Sequence, residues 1–277
     1  MSTYKDIGVT MAANNVGQIE IQRPPHNYFD NALINQIADA LEEFDRDAGC
    51  RAVVLCAQGK SFCAGADFAN RPATGAGNES GKHLYKEATR IFRTHKPWVA
   101  AVQGAAIGGG LGLALAADFR VTCVEARFSA NFNRLGFHPG FSLTYTLPRL
   151  VGQQKANLLF YTGRRVPGDE AVAMGMADVL VPLAEVRTAA VALATEIAQS
   201  GPLAVQSTRE TMRRGFAAWA MSMSLFGLKC CEAGTTCSLR CGLGGVMQTS
   251  YRLRVWRRRR ILRPRPWGRR RASRAEP

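Results

Sequence analysis

The sequence predicts an α/β fold with parallel strands, and three observations predict it. Short, wholly apolar runs such as Ala52–Ala57 (AVVLCA) and Val99–Val102 read as strands covered on both faces. Between them lie stretches whose apolar residues recur at helical spacing. The two kinds of segment alternate along the chain, as a parallel sheet with helical crossovers requires. Periodicity leaves open how the strands are wound, and no internal repeat is visible.

Each element has its own signal. Val16–Gln22 alternates apolar and polar residues, and Pro24 and Pro25 end it. Asp30 is a helix N-cap, because Leu33, Ile34, Ile37, Leu41 and Phe44 then fall on one helical face. Ala52–Ala57 is a buried strand, followed by a loop of small residues, GKSFCAGADFANRPATGAG. His83–Thr94 is helical, Val99–Val102 a strand, Gly108–Ala117 a small-residue helix and Phe119–Val124 another strand. A loop, SANFNRLGFHPGFS, precedes helices at Leu143–Leu150, Gln153–Tyr161 and Asp169–Met174. Val179–Val181 is a last strand, with helices at Val186–Gln199 and Leu203–Arg214.

The charge is unevenly placed. Of 36 Lys+Arg and 21 Asp+Glu, 14 basic residues but only Glu232 and Glu276 lie between Met221 and Pro277, so +12 of the net charge of +15 belongs to the tail. A nucleic-acid function read from the overall charge therefore starts from the wrong segment. Cys50, Cys56, Cys63 and Cys123 sit singly in apolar runs, as small buried hydrophobes do. The N-terminus MSTYKDIGVT lacks a basic start followed by an apolar core, so a reducing, cytoplasmic setting is expected. Pro97–Ala117 has no charge over 21 residues, but its glycines and alanines fit a buried strand turning into a buried helix better than a membrane span.

Two glycine-containing segments carry the chemistry, CAGAD (Cys63–Asp67) and AAIGGGLG (Ala105–Gly112). Each follows a buried strand, where parallel α/β folds place ligands. The second also opens a helix, whose first N–H groups are unpaired and partly positive. One backbone N–H from each segment, converging on a carbonyl oxygen, makes an oxyanion hole. The competing explanation is that the glycines only permit tight strand–helix packing. A dinucleotide fingerprint fails, because Leu115 occupies the third glycine position of the run that starts at Gly110-Leu111-Gly112. A P-loop is absent.

FCAGADF (Phe62–Phe68) and PWVAAVQGAAIGGGLGLALAADFRV (Pro97–Val121) resemble the enoyl-CoA hydratase/isomerase (crotonase) family. The resemblance continues through ARFSANFNRLGFHPGFSLTYTLPRLVG, YTGRRVPGDEAVAMGMADVLVP and GPLAVQSTRETM, over roughly residues 15–215. It implies a crotonase-like spiral of β-β-α turns with a helical C-terminal region, assembled as a homo-trimer or hexamer and binding an acyl-CoA thioester. Coenzyme A enters as part of the substrate, and no metal or other cofactor is implied. By position, Ala66 and Gly109 supply the two oxyanion N–H groups. Ala64, Gly65, Asp67 and Phe68, with Gly108 and Gly110, line the CoA-bearing substrate. The core is placed at residues 1–200, with 201–217 opening the C-terminal helical region.

The departures are as specific. Hydratases of the family use two glutamates, and the corresponding positions here are Gly112 and Phe132. A positioned acid or base contributes about 100- to 10,000-fold in rate, so hydration is in doubt. His138, in GFHPG, is the candidate substitute base, since a neutral imidazole suits proton transfer near pH 7. Asp118 is expected to orient strand and helix ends, Glu125 to face solvent, and Tyr145 is a weaker candidate. Lys82, Lys86, Arg90, Arg93 and Lys96 form a basic stretch, read as a solvated face rather than a phosphate site. Residues 218–277 form an atypical, disordered tail on this reading, with the composition of a shifted reading frame in GC-rich DNA. Its Cys230, Cys231, Cys237 and Cys241 lack paired zinc-ligand spacing, and WRRRRILRPRPWGRRR attracts nucleic acid only as a charge run.

Overall fold

The structure, a computed structural model, describes residues 3–67, 84–136 and 138–216. Two sheets share the described chain. The larger contains β1 (Ile7–Ala12), β2 (Val16–Ile21), β3 (Ala52–Ala57), β5 (Trp98–Val102), β7 (Phe119–Thr122) and β10 (Val179–Leu180), neighbours in that order. Only β1–β2 is antiparallel; the other pairs are parallel. The smaller sheet contains β4 (Ser61–Cys63), β6 (Ala105–Ile107), β8 (Arg127–Ser129) and β9 (Val166–Pro167). There β4, β6 and β8 run parallel and β9 antiparallel.

The chain thus lays one strand in the large sheet, turns a corner, lays a short strand in the small sheet and returns through a helix. This is the expected β-β-α spiral. Its turns are β3–β4–α2 (Leu84–Ile91) and β5–β6–α3 (Gly109–Ala116), followed by β7–β8. One side chain stitches the first two corners together. Gln103 Nε2 donates to the carbonyls of Ala57 (3.0 Å), Gly59 (3.2 Å) and Ser61 (3.2 Å).

Local chemistry accounts for the helices. The Asp30 carboxylate accepts from the Leu33 N–H at 2.9 Å and caps α1 (Asn31–Arg46), a device worth about 1 kcal/mol. The apolar face of α1, from Leu33 to Phe44, is wholly buried. α7 (Val186–Ala198) lays Val186, Ala190, Ala194 and Ala198 against β3 and β5 at a spacing of one helical turn. α4 (Leu143–Val151), α5 (Gln153–Thr162), α6 (Gly168–Ala173) and α8 (Pro202–Met212) complete the described chain.

The uncharged stretch Pro97–Ala117 is divided among β5, β6 and α3, and no helix among the described residues is long and apolar enough to cross a membrane. The helix expected at His83–Thr94 stops at Ile91, where the Thr94 hydroxyl donates to the Ile91 carbonyl at 3.0 Å. β1 was not foreseen, and neither were the four strands of the small sheet, whose runs of two or three residues have no measurable period. Residues 217–277, with the arginine-rich tail and its cysteines, lie outside the described residues.

Candidate active site

The three parallel strands of the small sheet end side by side, and the chain leaving each end builds the site. β4 leads into Ala64–Asp67, β6 into Gly108–Gly112 and β8 into Asn131–Phe132. The sequence placed both glycine segments after buried strands; the structure inserts a short second strand between each buried strand and its loop.

Two peptide planes define the center. The Gly65 carbonyl accepts from the Phe29 N–H at 3.0 Å. A trans peptide is planar, so the Ala66 N–H of the same unit points the opposite way, off Phe29. The Gly108 carbonyl accepts from the Gly112 N–H at 3.1 Å as the first bond of α3. The Gly109 N–H therefore points out of the helix start, where the backbone dipoles leave partial positive charge. The loops lie against each other. A Cβ on Gly65, whose φ is +89°, would stand 3.9 Å from the Gly109 nitrogen and 2.9 Å from the Ile107 carbonyl oxygen. Only glycine meets that φ and that approach together. Likewise a Cβ on Gly110 would fall 2.0 Å from the Cys63 carbonyl oxygen. The glycines of the two loops are thus what allows the loops to pack this closely.

Three phenylalanines cover the remaining glycines. A Cβ on Gly109 would lie 2.1 Å from the Phe29 ring, one on Gly112 2.5 Å from Phe141 Cβ, and one on Gly108 3.8 Å from the Phe132 ring. Phe29 and Phe141 are buried and stack edge-on with centroids 6.0 Å apart. The positions matched to the two glutamates thus hold a glycine with no room beside it and a half-buried aromatic ring. Phe29 and Phe141 were absent from the sequence reading. An apolar residue between a helix cap and a loop gives no local signal of which glycine it will cover.

The other candidates fall in different places. Ala64 donates its N–H to the His26 carbonyl at 2.9 Å, and Asp67 is half-buried on the same loop; Phe68 lies outside the described residues. His138 is exposed in the loop before α4, as is Glu125 after β7. Asp118 is a structural carboxylate, as expected: it accepts from the Trp98 N–H at 2.9 Å and pairs with Arg209 and Arg213 at 2.8 Å each. The basic stretch is only partly a solvated face. Arg90 pairs with Glu42 (2.8 Å) and Asp39 (2.5 Å), and Lys96 is buried with its ammonium on the carbonyls of Phe44 and Asp47 at the end of α1. Helix-terminal carbonyls and acids on α1, invisible in the local run, consume those charges. Lys82 lies outside the described residues. Burial pushes the Cys63 thiol, just before the site, up to about 12, which leaves it without nucleophilic character at neutral pH.

The sequence model of the family described as enoyl-CoA hydratase/isomerase matches residues 11–224. A probable enoyl-CoA hydratase of Bacillus subtilis is 34% identical over 202 residues, 71% of this chain and 78% of that protein. The human mitochondrial Delta(3,5)-Delta(2,4)-dienoyl-CoA isomerase is 32% identical over 224 residues, 75% of this chain and 68% of its own. Among solved structures, an enoyl-CoA hydratase/isomerase from Pseudoalteromonas atlantica superposes with a TM-score of 0.73 at 29% identity, over 80% of this chain and 88% of that one. With the β-β-α spiral in place, these matches settle the lineage: the chain belongs to the enoyl-CoA hydratase/isomerase family.

Proposed function

We propose that the protein binds an acyl-CoA thioester and stabilises an enolate-like oxyanion on its carbonyl through the Ala66 and Gly109 N–H groups. The observation that carries this reading is the pair of peptide units whose carbonyls are tied down, by Phe29 and by Gly112, so that both amides are turned outward from adjoining loops. A backbone donor aimed at a developing oxyanion contributes about 3 kcal/mol to a transition state. It needs no side chain, so it survives the loss of both glutamates. The reaction class is that of a lyase or isomerase acting beside the thioester carbonyl. Hydration is disfavoured, because Gly112 and Phe132 have no group to hold a water or move a proton. His138 is the group we assign to proton transfer. The exposed side chains of Tyr161 on α5 and Leu203 and Met212 on α8 support assembly into a homo-trimer or hexamer.

The same two positions favour a second reading, an acyl-CoA-binding protein that holds its thioester with little or no turnover. Calorimetric titration with crotonyl-CoA and free CoA, followed by NMR of the α-protons of butyryl-CoA in deuterated buffer, separates them. Tighter binding of the thioester with α-proton exchange supports the enzyme; tighter binding without exchange supports the second reading. Equal binding of thioester and free CoA rejects the oxyanion pair. Rapid bleaching of the enoyl absorbance would show that water is activated by another group.

A further inference from the structure

We infer that Phe141 is a specificity-determining residue of this site, a rigid aromatic stop that limits the acyl group to short, compact chains. The inference rests on the thioester-binding reading above. Gly112 lies one turn beyond Gly109 on the same face of α3, about 4.5 Å further along at 1.5 Å per residue. An acyl chain that leaves a carbonyl held at the Gly109 N–H meets two rings on this face: Phe29, 2.1 Å from where a Gly109 side chain would begin, and one turn on Phe141, whose Cβ, Cγ and Cδ1 stand 2.5, 2.8 and 3.0 Å from where a Gly112 side chain would begin. At Gly112 the obstruction comes from the next loop, not from the helix itself.

Two further observations mark Phe141 as a fixed stop. Its φ is +53°, and that of Ser142 is +57°. A bulky residue in the left-handed region is an outlier that persists only when its surroundings hold it. The surroundings do so here. The ring is buried between Phe29 (6.0 Å) and Phe92 (5.9 Å), and Phe92 passes the contact on to Phe216 at 5.2 Å. An unbroken column of rings thus backs the first turn of α3, and no single side chain can swing aside to admit a longer chain.

The test is the chain-length profile of binding, measured by titrating acetyl-, butyryl-, decanoyl- and palmitoyl-CoA, with free CoA as reference, into the full-length protein. The wild type is expected to bind butyryl-CoA more tightly than decanoyl-CoA. Phe141→Ala is expected to gain about tenfold or more on decanoyl-CoA, the scale of a methylene or two admitted to an apolar pocket, with free CoA unchanged. Phe141→Leu, which keeps most of the bulk, is expected to lie between them and covers the case in which the alanine variant does not fold. A wild-type profile flat from acetyl to palmitoyl, or the same profile in every folded variant, overturns the inference while leaving thioester binding intact. Equal affinity for free CoA and every thioester removes the underlying reading as well.

Discussion

Arg209 donates through Nε to Asp118 Oδ2 at 2.8 Å, a buried ion pair that pins α8 to the start of β7. Arg213, one turn on, donates to Oδ1 of the same carboxylate at 2.8 Å and to the Ala116 carbonyl at 3.0 Å, at the C-terminal end of α3. The last described helix is thus fastened to the far end of the helix whose start holds the proposed oxyanion amide. Asp118→Asn is predicted to cost about 3–5 kcal/mol, because two buried guanidinium groups lose their counter-charge together. Chemical denaturation monitored by circular dichroism measures it, and a loss within about 0.5 kcal/mol would show the pair to be idle.

The same carboxylate predicts an acid dependence. Burial works to raise the Asp118 pKa, but the charges of Arg209 and Arg213 and the Trp98 N–H outweigh it and hold it below the ordinary carboxylate value. As pH falls, the unfolded chain protonates first, near pH 3.9. The contribution of Asp118 is therefore complete at neutral pH and is lost as pH drops below that point toward its folded value. Urea melts through the acid range should show a fall in stability that Asp118→Asn flattens.

Gly112 and Phe141 compete for one volume, so their substitutions should not add. Gly112→Ala is predicted to destabilise by about 1–3 kcal/mol, the range for overpacking a core. In a Phe141→Gly background the same change should cost almost nothing. A double-mutant cycle with no coupling would mean that the helix and loop relax independently.

His138→Ala is predicted to leave thioester binding unchanged, since the side chain is exposed before α4, and to abolish any α-proton exchange. Exchange that persists at the wild-type rate assigns the proton to another group.

The buried thiols should be silent. Burial raises the Cys56 pKa to about 11 and the Cys63 pKa to about 12, and both side chains are shielded from solvent. Alkylation by iodoacetamide near pH 8 should modify neither until the protein is unfolded; fast native-state labelling of Cys63, read by mass spectrometry, would show that the loop after β4 opens.

The sequence was legible where one chemical signal decided the outcome. Asp30 with the Leu33–Phe44 stripe marked α1, and the unbroken AVVLCA run marked β3, because capping and double-sided burial leave direct traces in residue type. The glycines of both loops were visible for the same reason. The small sheet was not. β4, β6 and β8 have three residues each, and their pairing is decided by corners elsewhere in the chain. The aromatic cover was equally hidden. Phe29 and Phe141 lie 112 residues apart and meet only once the spiral has formed, and no sequence rule places a phenylalanine at a positive φ. Lys96 misled for the opposite reason, since its partners are main-chain carbonyls that any sequence supplies.

The Gln103 amide at the inner corner has a reach beyond its own neighbourhood. By gripping three carbonyls of the preceding turn it sets how far one coil of the chain is offset from the next, and the Ala66 and Gly109 nitrogens ride on the ends of those two coils. The gauge of the proposed thioester clamp is therefore cut at its hinge, by a residue of the corner rather than of the two loops themselves.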